Sequence, residues 1–151
     1  HYNRAISLSP DYWQAYYNLG TLYDRQNRPD LAAAQYLKAT NGSAELRAQA
    51  VSNLSRLRNR AQQYAEAASL VRSVLDSTEA KPILAALYKN LGWAFFGLGR
   101  LVESQTALER ALPLDGSRID TYCLLALVKR ARKLEADAET KTCLFSATNL
   151  P

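Results

Sequence analysis

Histidine occurs once in this chain, at position 1, and cysteine twice, at positions 123 and 143. A serine or cysteine nucleophile needs an adjacent base held by a third group, and a terminal His1 is no secure partner for one. Zinc needs clustered thiolates and imidazoles, which two well-separated cysteines without an internal histidine do not supply. Gly92, Gly97 and Gly99 form a glycine-rich stretch, but Arg100-Leu101 follows where a phosphate loop requires Lys and then Ser or Thr. A turn between two helices accounts for Gly97 and Gly99. The carboxylates Asp24, Asp30, Glu66, Asp76, Glu103, Glu109, Asp115 and Asp120 are scattered, and most suit helix starts or solvated faces. Asp30, Ser117 and Asp120 are placed to begin helices. The expectation is a chain without catalysis, cofactor or metal.

What remains is the chemistry of contact. The 151 residues include 9 tyrosines, 2 tryptophans and 3 phenylalanines, and 19 Lys and Arg against 14 Asp and Glu give a net charge of +5 and a pI near 9.3. Two basic clusters stand out, Arg56-Leu57-Arg58-Asn59-Arg60 and Lys129-Arg130-Ala131-Arg132-Lys133. A basic stripe with aromatics can hold single-stranded RNA by phosphate contact and stacking. Helices, however, scatter consecutive residues around their circumference, so RNA binding stands second to protein binding.

Cys123 and Cys143 fall on the two helices expected at the chain's C-terminal end, where pairing is possible but not signalled. Reduced thiols in a cytoplasmic protein are the expectation. Asn41-Gly42-Ser43 and Asn53-Leu54-Ser55 match the glycosylation pattern, and both are taken as chance matches. No apolar run approaches the length of a membrane span, and no basic start with an apolar core marks a signal peptide. The chain contains no methionine, so a fragment of a longer protein is expected, with a bacterial source as a guess.

The elements that must carry these residues announce themselves by repetition. Tyr16-Tyr17-Asn18-Leu19-Gly20 returns as Tyr88-Lys89-Asn90-Leu91-Gly92, with weaker copies at Val51-Ser52-Asn53-Leu54-Ser55 and Tyr122-Cys123-Leu124-Leu125-Ala126. A period of about 35 residues is the mark of stacked helix pairs. Apolar residues at helical spacing, together with Pro29, Asn41-Gly42 and Pro82 at boundaries, predict helices near 13–26, 30–40, 47–60, 63–76, 82–98, 101–112, 119–132 and 135–148. A leading half runs from Tyr2 to Leu8. Ala32, Ala67, Ser104 and Ala138 follow the small residues Gly20, Ser55, Gly92 and Ala126 by twelve positions, and are expected to face them across each hairpin.

The pattern resembles the tetratricopeptide repeat, a 34-residue helix–turn–helix. Its aromatic–x–x–Leu–Gly–x–x–aromatic element is matched by Tyr16, Leu19, Gly20 and Tyr23, and by Tyr88, Leu91, Gly92 and Phe95. Ala32, Tyr36 and Ala39 match the second helix, and Tyr2, Ala5 and Pro10 the leading half. Val51, Arg58 and Lys129 stand where aromatics would be, and Gly116 where proline would be. The resemblance implies an all-α, α-solenoid superhelix of antiparallel helix pairs with about nine helices. It would form a single domain over 1–151: a half repeat at 1–12, then repeats near 13–47, 48–84, 85–118 and 119–151.

In this family the first helix of each pair lines a concave groove that takes a peptide or helix. Carried onto this chain, the resemblance implies that Gln14, Tyr17, Thr21, Asp24 and Arg25 line the first repeat's share. The second supplies Ser52, Arg56, Asn59 and Arg60, the third Lys89, Trp93 and Phe96, and the fourth Asp120, Cys123, Leu127 and Arg130. Aromatic and guanidinium groups are enriched among binding hot spots, and an acidic protein or peptide partner is expected. Tyr17 and Thr21 replace the Lys and Asn of the family's chaperone-binding clamp, so a chaperone tail is disfavoured. Ends without polar caps would allow self-association.

Overall fold

The computed structural model describes residues 10–148, and every regular element among them is helical. In chain order these are α1 (Pro10–Arg25), α2 (Pro29–Ala39), α3 (Ala44–Arg60), α4 (Tyr64–Arg72), α5 (Lys81–Gly97), α6 (Leu101–Ala111), α7 (Ile119–Ala131) and α8 (Asp137–Thr148). Tyr2 and Ala5 of the leading half lie outside the described residues.

Helix limits follow local chemistry. Pro29 opens α2 and Pro82 sits in the first turn of α5, where a missing N–H costs nothing. Ser43 caps α3 by accepting the Leu46 N–H at 3.2 Å, so this helix starts three residues earlier than the periodicity predicts. The fourth helix stops at Arg72 rather than 76. The Ser73 hydroxyl donates to the Leu70 carbonyl at 2.6 Å, and the N–H groups of Ser73 and Val74 bond three residues back. That tightens the chain out of the α-helix. Asp30 does occupy the first turn of α2, whereas Ser117 does not cap α7. Its N–H and hydroxyl both donate to Asp115 Oδ1, at 3.1 and 2.5 Å, and Arg118 takes the cap position.

The turns inside the four pairs share one geometry. Asn27, Gln62, Gly99 and Lys133 each have positive φ, at 57°, 63°, 76° and 59°. Each donates its N–H three residues back, and the next residue donates five back: Arg28 to Tyr23, Gln63 to Arg58, Arg100 to Phe95 and Leu134 to Lys129. This is the Schellman ending. It falls seven residues after each of Gly20, Ser55, Gly92 and Ala126.

The small residues also admit a large neighbour, beside the small one expected across the hairpin. A methyl on Gly20 would lie 2.8 Å from the Tyr36 ring, and one on Gly92 would lie 2.5 Å from Leu108 Cγ. Both partners sit sixteen residues on, one helical turn beyond the expected Ala32 and Ser104. Ala32 and Ala67 are still fully buried, and Ser104 donates its hydroxyl to the Gly92 carbonyl at 2.7 Å. Ala138, by contrast, is exposed, so the last pair does not close in the expected way.

Each helix packs on the next in sequence, and the first helices of successive pairs also touch: α1 with α3, α3 with α5, α5 with α7. The second helices α2, α4, α6 and α8 do not approach one another. A stack whose members meet on one side and spread on the other is curved, so the concave side belongs to α1, α3, α5 and α7. The core follows the stack. Ala32, Tyr36, Leu54 and Leu57 join α2 to α3, and Val51, Val71, Leu87, Leu91 and Phe95 fill the middle. Leu108, Leu125 and Val128 join α6 to α7.

Candidate partner-binding face

On the concave side the side chains of neighbouring repeats first satisfy one another. Asn53 Nδ2 donates to the Tyr17 hydroxyl at 3.1 Å. One repeat on, Asn90 Nδ2 donates to the Ser52 carbonyl at 2.8 Å and to Ser55 Oγ at 3.1 Å. Asn59 Nδ2 returns a bond to the Asn90 carbonyl at 2.9 Å. Asn59 is 1% exposed, so it bridges α3 and α5 and offers nothing to solvent. The asparagines recur at the repeat spacing, which is how a sequence can reveal this ladder.

Charges are paired across repeats in the same way. Arg56 forms an ion pair with Asp24, which also accepts the Tyr36 hydroxyl at 3.2 Å. Burial, the dominant effect, raises the Tyr36 phenol above its ordinary pKa, and the Asp24 charge adds to it. Lys89 is 4% exposed, with Nζ 3.2 Å from Asp120 and 5.6 Å from the centre of the Trp93 ring. Burial lowers its pKa, and Asp120 opposes that shift. Burial also pushes Asp120 up, but Lys89 and Arg118 outweigh it and hold the carboxyl below its usual value. Lys89 is therefore no solvated lysine. Arg118, outside the set implied by the repeat pattern, enters the face by pairing with Asp120 at 3.3 Å.

The remaining candidates divide into accessible and enclosed. Gln14, Arg25, Arg60 and Arg130 are exposed; Gln14 bonds Asn18 at 3.1 Å, and Arg130 reaches Thr140 at 3.4 Å. Tyr17, Thr21 and Ser52 are half-buried, with the Tyr17 ring 5.7 Å from that of Tyr36. Tyr17, Thr21, Asp24, Arg25, Tyr36 and Asn53 line one cleft of about 270 Å³. Trp93 is half-buried at mid-face, while Phe96 packs against the cluster of Leu108, Leu125 and Val128. At the far end Cys123, Leu127, Arg130, Thr140, Cys143 and Leu144 enclose a second cleft of about 330 Å³. Arg60 lies apart from both, over a turn-edge cleft that it shares with Asn27, Pro29 and Asp30.

Cys123 and Cys143 are joined in a disulfide, with Cα atoms 5.0 Å apart, which corrects the expectation of reduced thiols. The basic clusters are largely absorbed as well. Arg58 meets Glu66 and Gln63, Lys129 pairs with Glu139, and Arg132 donates to Gln105 at 2.5 Å. His1 lies outside the described residues. Among those residues no helix is long and apolar enough to cross a membrane.

Charge is nevertheless unevenly distributed. Helices α1, α3, α5 and α7 hold nine basic and four acidic residues, while α2, α4, α6 and α8 hold four basic and six acidic. The net +5 of the first set equals that of the whole chain.

Two tetratricopeptide repeat models match the sequence, over residues 1–35 and 52–119. A comparison with curated protein sequences gave no match. Among solved structures, the first tetratricopeptide domain of human RPAP3 aligns with a TM-score of 0.72 at 19% identity, over 88% of this chain and 98% of that one. MamA from Desulfovibrio magneticus aligns at 0.67 and 19%, over 95% and 78%. BtubC from P. vanneervenii aligns at 0.72 and 24%, over 93% and 63%. These likenesses are likenesses of fold.

Proposed function

The chain belongs to the tetratricopeptide repeat family, and on that premise we propose that it is a non-catalytic scaffold whose concave face holds an acidic segment of a protein partner. The observation that carries this reading is the charge asymmetry: the concave helices bear a net +5, against −2 on the outer ones. Asp24 and Asp120 already neutralise Arg56 and Lys89, so the exposed cations beside the two clefts that a partner would meet are Arg25 and Arg130. Trp93 offers an apolar wall between them. Because the face is preformed, binding orders the partner but not the scaffold, which limits the entropic cost. A cytoplasmic location accompanies this reading, and there a disulfide would cycle rather than persist.

The test is fluorescence anisotropy with labelled decapeptides, Glu- and Asp-rich against charge-neutral, at low and high salt. Acidic peptides should bind more tightly, and affinity should fall as salt screens the face. Reversing Arg25 and Arg130 together to Glu should weaken binding at least about tenfold, equivalent to about 1.4 kcal/mol. Unchanged affinity in that variant would refute the assignment. Preferential retention of single-stranded RNA over acidic peptide would move the function to nucleic acid.

A further inference from the structure

The last hairpin is held together differently from the three before it. Sixteen residues after the small position stand Tyr36, Val71 and Leu108, all buried in the first three pairs. In the last pair that position is Thr142, whose hydroxyl bonds its own helix at the Ala138 carbonyl, 3.0 Å away. Ala138 is exposed and Leu144 is 61% exposed, so neither adds buried apolar surface from α8 to α7. Among the described residues, the links that join the two helices include the Cys123–Cys143 disulfide, the Lys129–Glu139 ion pair and the Arg130–Thr140 contact. Both cysteines are half-buried and line the open cleft with Leu127 and Arg130, which puts the sulfurs within reach of a small thiol.

We propose that Cys123 and Cys143 form a reversible redox site, and that a dithiol reductant frees α8 from α7 by opening it. One reductant thiolate attacks a cysteine sulfur, and the other cysteine leaves as a thiolate. The second reductant thiol then displaces the mixed disulfide. Two electrons and two protons pass to Cys123 and Cys143, and the reductant leaves as its own disulfide. Because Cys123 lies on α7, one of the helices of the concave side, the redox state sets the shape of that end of the binding face. The inference stands whether or not the partner is acidic.

The experiment uses the whole chain, oxidised and then treated with dithiothreitol, with alkylation read by mass and amide exchange read by segment. The oxidised chain should take up no alkyl group and the reduced chain two. On reduction, exchange across 137–148 should accelerate roughly tenfold or more while 81–111 changes little, as expected for local opening at one end. The double variant Cys123→Ser with Cys143→Ser should match the reduced chain with or without reductant, with protection of 81–111 reporting that it folds. Both thiols alkylating after oxidation, a bond that resists dithiothreitol in the folded chain, or equal protection of 137–148 in both states would each overturn the proposal.

Discussion

At Gly92 a single methyl group has nowhere to go. It would stand 2.5 Å from Leu108 Cγ, 2.7 Å from Leu108 Cδ2 and 3.2 Å from the Ser104 carbonyl oxygen. Leu108 is fully buried in the cluster with Leu125 and Val128, so it cannot swing aside. Alanine would gain about 1 kcal/mol in helix propensity, and overpacking costs about 1–3 kcal/mol or more; at these distances the clash wins. Gly92→Ala should destabilise by about 2 kcal/mol in urea melts, and combining it with Leu108→Ala should cost clearly less than the sum of the two. A neutral Gly92→Ala would contradict the packing described. The spacing of Gly20, Ser55, Gly92 and Ala126 was legible in the sequence because every hairpin needs one close approach. The large side chain beside it was not, because periodicity says which helices meet and not which side chain fills the gap. Tyr36 and Leu108 stand one helical turn beyond Ala32 and Ser104 and fill the space over the glycines.

The elements are joined by a turn whose chemistry the sequence shows in one repeat and hides in the others. Gly99 advertises a left-handed residue, and Asn27 is tolerated there. Gln62 and Lys133 adopt the same φ without any residue-type signal, and only their register seven positions after Ser55 and Ala126 points to them. A side chain bearing Cβ pays about 1–2 kcal/mol in this conformation, partly offset when glycine replaces it by the greater freedom of the unfolded chain. Gln62→Gly should therefore stabilise the protein by about 0.5–1 kcal/mol, seen as a higher urea midpoint at unchanged slope. Destabilisation there would mean that the Gln62 side chain carries a contact outweighing the backbone strain. Helix limits were the less legible part for a related reason: Ser43 extends α3 and Ser73 shortens α4 through single hydroxyl bonds, which apolar spacing does not register.

Across the whole molecule, stability passes from pair to pair, and the seam between α3 and α5 is its polar midpoint. That the first helices of successive pairs meet on one side could be read from the repeat, but not which of their side chains stay open, since Asn59 is buried and Phe96 packs on the core. That Lys89 pairs with Asp120 and Arg56 with Asp24 could not, since those contacts depend on how successive pairs are rotated. Asn90 lies at the seam, 1% exposed, donating to Ser52 and Ser55 and accepting from Asn59. Truncating it removes both donations, although the Ser52 carbonyl keeps the Ser55 hydroxyl at 3.0 Å; two lost bonds at about 0.5–1.5 kcal/mol each cost about 1–3 kcal/mol. In a quasi-one-dimensional stack such a loss weakens the coupling between neighbours as well as the sum. The chain supplies its own probes, Trp13 in α1 and Trp93 in α5. With Trp93→Phe or Trp13→Phe to isolate each signal, both halves of the parent chain should melt together. Adding Asn90→Ala should lower both transitions and separate them by about 2–4 °C. Curves that shift equally and stay coincident would mean that the apolar contacts of Val51, Leu87 and Leu91 alone carry the coupling, and that the asparagine bridge contributes only to overall stability.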